Sequence, residues 1–124
     1  MTALLAIAAG GAAGALFRYG VSTAVATLLG RGFPYGTLVV NVAGCLLTGI
    51  LYVVMLERMV AGPEWRAGLL IGVLGAFTTF STFSMETLLL VEEGENVRAL
   101  LNVAGSVLFC LGATWLGMIM GRQL

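Results

Sequence analysis

Four stretches of this chain are almost free of charge, and each is long enough to cross a lipid bilayer as a helix. Residues 32–56 hold 25 consecutive uncharged side chains, 67–85 hold 19 and 99–121 hold 23, while 2–29 is interrupted only by Arg18. Roughly 20 mostly apolar residues span the hydrocarbon core. A soluble fold of 124 residues would expose much of its surface to water. With charged residues at 10% of the chain, against about 25% in ordinary soluble domains, that surface could not be covered. Pro34 opens the second span and Pro63 sits in the connection before the third, where they punctuate rather than interrupt. The pattern predicts an all-α membrane protein, one integral domain over 1–124, with helices at about 3–29, 35–57, 65–91 and 97–121. The first run lacks a positively charged start and outlasts the apolar core of a signal peptide, so it reads as a retained span.

The charges are six arginines and six glutamates, with no lysine, aspartate or histidine. That removes the lysine phosphate loop, the EF-hand and every histidine-based metal or catalytic site. An intramembrane enzyme is disfavoured for the same reason, since no serine stands beside a recognisable base. Cys45 and Cys110 lie in apolar runs with no metal or redox spacing and read as small packing residues. Four spans place Arg58, Arg66 and Arg122 on one side and Arg31 and Arg98 on the other. Three against two is almost no positive-inside bias, so the chain is expected to insert both ways and pair antiparallel. Gly10/Gly14, Gly68/Gly72 and Gly117/Gly121 are Gly-x-x-x-Gly pairs that let helix backbones approach closely. Four short helices can hardly enclose a pathway alone, and these faces favour an oligomer.

Polar side chains at membrane depth form stripes. Thr37, Asn41, Gly44 and Thr48 share one face of the second helix, and Asn102, Ser106, Cys110 and Thr114 one face of the fourth. Such groups either bond between helices or line a polar path. The third span is densest: five hydroxyls fall within 78–84, interleaved with Phe77, Phe80 and Phe83. Glycines followed by β-branched threonines weaken a helix, and a break is expected near its middle. Exposed carbonyls there are tolerable only around a cavity or an ion. Hydroxyls and amides serve either sign of ion. Ring edges would favour an anion and ring faces a cation.

Gly11, Gly14, Ala15, Arg18 and Tyr19, then Gly36, Thr37, Leu38, Val40, Asn41 and Gly44, then Gly72, Gly75 and the run Thr78 to Ser84 resemble, in type and spacing, the Fluc-type fluoride channels. The third of these motifs is long and unusual. The resemblance implies a channel rather than an enzyme, one that lets toxic fluoride leave the cytoplasm passively through a bacterial inner or plasma membrane, or its archaeal equivalent. It implies an antiparallel dual-topology homodimer with fluoride as the partner ion. By motif, Asn41 would donate its amide to fluoride, and Phe80 and Phe83 would present ring edges. Thr79, Ser81 and Thr82 would sit beside them, Thr37, Glu86 and Ser106 would continue the polar track, and Arg18 would draw anions into a vestibule. The backbone carbonyls of Gly75 and Thr78 from both copies would hold a structural sodium ion. Asn102 stands where some members carry tyrosine, and Cys110 where serine is frequent. The rival reading is a proton-coupled small-molecule exporter working through Glu86.

Overall fold

The computed structural model describes all 124 residues, and its regular elements are helices alone. They are α1 (Thr2–Leu29), α2 (Tyr35–Glu57), α3 (63–77), α4 (Phe80–Glu92) and α5 (Asn96–Gln123). α3 and α4 together make the third span, Pro63–Glu92. Every span is long and apolar enough to cross a membrane, with ends within two residues of those read from the sequence. A helix is the natural answer in lipid, where no water can satisfy exposed backbone groups. Gly30 ends α1 at a φ of 83° and donates its N–H to the Ala26 carbonyl. That left-handed conformation is open to glycine because it has no Cβ.

Two sets of contacts at the ends fix the topology. Arg98 donates to the Gly32 carbonyl at 3.1 Å, which puts the first and third connections at one end. Arg122 pairs with Glu57 at 3.0 Å, and Arg58 donates to the Arg122 carbonyl at 2.7 Å, at the other. α2 and α5 therefore run parallel, and the three-to-two arginine division stands as counted.

The glycines are used differently from expectation. A Cβ on Gly10 or Gly14 would overlap the Gly68 or Val73 carbonyl oxygen, and one on Gly72 would crowd the Ile7 carbonyl. Those pairs close α1 onto α3. Gly49 and Gly117 do the same for α2 and α5, against the carbonyls of Thr114 and Leu46. All three Gly-x-x-x-Gly pairs are thus consumed inside one copy of the chain. The motif reports close approach of two backbones and is silent on whether they belong to one chain or two. Any contact with a second copy would have to use other surface.

Two segments depart from α-helical winding. Val53–Glu57 and Ala67–Leu74 are π-helical, a rare geometry that is frequent at functional sites. The expected break near the middle of the third span lies at Thr78 and Thr79, which are extended (φ −83°, ψ 157° and φ −152°, ψ 115°). Gly75 itself keeps helical angles (φ −63°, ψ −34°). Extended backbone suits β-branched threonine, so the interruption falls on the hydroxyl residues rather than on the glycine before them.

α4 is attached in an unusual way. Only Leu90 of its residues is buried, whereas Met85 and Leu88 are each 62% exposed and Phe80 78%. Three polar ties hold it to its neighbours: Asn41 to Thr79, Thr37 to Glu86, and Asn102 to Thr87.

Candidate functional site

A helix interrupted at membrane depth exposes backbone donors and acceptors that have no water to turn to. The residue that meets this need is Asn41 on α2. Its Oδ1 accepts from the Thr79 N–H at 2.8 Å, and its Nδ2 donates to the Thr79 carbonyl at 3.0 Å. One side-chain amide thus satisfies both backbone groups of the same residue. Thr79, only 8% exposed, then caps α4. Its Oγ1 accepts from the Thr82 N–H at 3.2 Å and donates to the Thr82 hydroxyl at 3.0 Å. An asparagine amide carries two protons. One is used on Thr79, and the second remains for a ligand.

Asn41 and Thr79 line an open groove of about 400 Å³ between α2, α4 and α5, together with Phe80, Phe83 and Ser106. The Phe80 and Phe83 ring centroids lie 5.4 Å apart with planes inclined at 46°. No charged side chain lines this groove. With Thr78, six of the expected residues therefore converge on one space, although they come from three spans.

The others gather on the opposite flank of Thr79. The Thr37 hydroxyl donates to Glu86 Oε1. Both line a cavity of about 310 Å³ that also has Ser22 and Arg31 in its wall. Arg18 lines a neighbouring cavity of about 260 Å³ with Thr37, Thr79 and Thr82. Thr37 and Glu86 are thus brought together with each other rather than with the phenylalanine rings. Thr79 is the wall common to the Arg18 cavity and the groove. Ser81 is exposed, its hydroxyl 3.3 Å from that of Thr79.

One neighbour, Thr87, escaped the sequence reading. Asn102, 2% exposed, donates to the Thr87 hydroxyl at 2.9 Å, and Thr87 in turn donates to the Phe83 carbonyl at 2.7 Å. The recurrence of Thr79, Phe83 and Thr87 at steps of four could have shown this face of α4. Cys45 and Cys110, read as packing residues, both line the groove. Thr48 and Thr114 bond back to carbonyls of their own helices, Gly44 at 2.7 Å and Cys110 at 3.0 Å, which is the purely local use of a hydroxyl.

The break also leaves carbonyl oxygen free. The Thr78 N–H bonds the Leu74 carbonyl at 3.1 Å, but the Thr78 carbonyl accepts no hydrogen bond from the chain. Gly75 stands one turn before it. Backbone carbonyls are hard oxygen ligands of the kind that hard cations take, so the local chemistry fits a cation such as sodium.

A family model described as "CrcB-like protein, Camphor Resistance (CrcB)" matches residues 5–118. The chain is 54% identical over 121 residues to a protein of Methylococcus capsulatus, a match covering 98% of this chain and 53% of that protein. It is 53% identical over 117 residues to one of Shewanella amazonensis, covering 94% of each, and 51% identical over 124 residues to one of Geobacter sulfurreducens, covering both entirely. All three relatives carry the name "Fluoride-specific ion channel FluC". The chain thus spans about half the length of the first and nearly all or all of the other two.

Proposed function

The chain belongs to the CrcB-like protein family, a multi-pass membrane protein like its bacterial relatives, and on that premise we propose that it is a fluoride-selective channel letting toxic fluoride leave the cytoplasm passively. The observation that carries the reading is the uncharged groove in which the Asn41 amide, the Ser106 hydroxyl and the Phe80 and Phe83 rings face one space. Taking a bare ion into low dielectric costs tens of kcal/mol by Born arithmetic. Fluoride, small and strongly accepting, therefore needs donors to replace its water. The second Asn41 proton, the Ser106 hydroxyl and the positive ring edges supply them without a cation that would trap the ion. Arg18, Thr37, Thr79, Thr82 and Glu86 form the polar surroundings on the other flank, with Arg18 raising the local anion concentration. Purified protein in fluoride-loaded liposomes should release fluoride down its gradient, retain chloride and need no proton gradient. Vesicles that keep their fluoride would overturn the reading. Flux that requires a proton gradient and vanishes in Glu86→Gln would instead favour the exporter.

The working unit of this proposal is an antiparallel homodimer, with sodium held between the Gly75 and Thr78 carbonyls of both copies. Its support is the three-to-two arginine division, the unbonded Thr78 carbonyl and the exposed apolar face of α4, which one copy leaves uncovered. Single cysteines placed in each connection, in a background lacking Cys45 and Cys110, should label about half from either side of the membrane. Uniform orientation excludes dual topology. Full replacement of sodium by a larger cation should weaken the dimer, and an unchanged dimer with unchanged flux removes the sodium.

A further inference from the structure

Cys45 on α2 and Cys110 on α5 are the only cysteines in the chain, and neither takes part in a disulfide. The packing of two parallel helices brings them together. Gly49 meets the Thr114 carbonyl and Glu57 pairs with Arg122, and each of these pairs is separated by 65 positions. Cys45 and Cys110 are separated by the same interval, one turn before the Gly49–Thr114 contact, where the missing Cβ draws the helices closest. Both side chains are part-exposed and line the same groove, from the facing helices α2 and α5.

We propose that Cys45 and Cys110 form a two-thiol site that captures one soft, two-coordinate divalent metal ion, of the mercuric class, within the groove. The donor set selects this ligand. Thiolates prefer soft ions, and no histidine or carboxylate lines the groove to complete the four-coordinate shell that zinc demands. The surrounding Asn41 and Ser106 offer hard donors only. Charge decides between soft ions. Two thiolates with a divalent ion make a neutral adduct, whereas two thiolates with a monovalent ion leave a net negative charge in an uncharged, low-dielectric wall. On capture, two S–H bonds break and two metal–sulfur bonds form. Two protons leave to water, and no atom changes oxidation state.

The consequence for flux rests on the channel reading. Cys45 lies one turn beyond Asn41, and Cys110 one turn beyond Ser106, on the same helix faces. A metal bridging them stands beside the donors assigned to fluoride and obstructs the groove.

The test uses the full-length protein with one equivalent of mercuric chloride per chain and excess glutathione as a competing monothiol. Intact mass should show one mercury, less two protons, retained on the unaltered protein. Cys45→Ser and Cys110→Ser, with Cys45→Ala and Cys110→Ala as second variants, should each lose it, because one thiol lacks the effective concentration of a pair, worth on the order of 100-fold or more. In liposomes, mercury should halt fluoride efflux of the unaltered protein and spare each single variant, compared with that variant's own flux before metal. Equal retention by single-cysteine variants, or none by the unaltered protein, overturns the site. Capture by a protein that shows no fluoride flux before metal sinks the channel reading and leaves the site standing. Normal flux with no capture does the reverse, and capture without block removes the obstruction.

Discussion

Asn41→Asp is expected to abolish fluoride flux and also to loosen the fold. Aspartate keeps the size of asparagine but has no amide proton, so the Thr79 carbonyl loses its donor and meets a carboxylate oxygen instead. Leaving one buried acceptor unsatisfied costs about 1–3 kcal/mol. The same change removes the second amide proton from the groove. A hydrogen bond to a charged partner is worth about 1.5–3 kcal/mol, or roughly 10- to 100-fold in rate. A negative charge on the wall of an uncharged groove adds repulsion of any anion, so the loss should reach the upper end of that range. Asn41→Ala separates the two effects. It orphans both backbone groups of Thr79 without adding charge, so it should also lose thermal stability while keeping more flux than the aspartate variant. A folded Asn41→Asp protein that conducts at the original rate would refute the pore assignment.

Phe83→Ile should reduce flux by up to about tenfold, taking the lost ring edge to be worth the same as an aromatic pair, about 0.5–1.5 kcal/mol. Isoleucine keeps apolarity and much of the volume but has no quadrupole. The hydrogen bond from Thr87 goes to the backbone carbonyl of Phe83, so the substitution leaves it in place. If Phe83 served packing alone, the variant would lose thermal stability and little flux. Phe80, 78% exposed on its own copy, touches less of its own chain, so Phe80→Ile should leave the stability of an isolated subunit closer to the original.

The spans and their ends were legible because lipid rewards one thing above all, an uninterrupted apolar run closed by charge, and this chain has four. The polar stripe through Asn41 was equally visible. Its partner was not: Thr79 lies 38 positions away, and the reciprocal pair exists only once the third span has broken beside α2. The break was legible near Gly75–Thr78, where glycines precede β-branched threonines, and tertiary bonding fixed it on Thr78 and Thr79, which tolerate extended backbone. The glycine pairs showed that helices touch and not which helices. The pairing of Cys45 with Cys110 carried no local signal, since their relation appears only when α2 and α5 are known to be parallel and in register. The π-helical turns of α2 and α3 had no signature that periodicity could detect.

The three ties that hold α4 differ in when they can form. The partners of two of them, Asn41 and Thr37, lie on α2 and are synthesised before α4 emerges, while Asn102 follows on α5. A nascent chain halted before its fourth span already contains the partners of the Thr79 and Glu86 ties, while the third tie waits for Asn102. The fourth span also carries Ser106 and Cys110, so the groove has all its walls only once that span is in place.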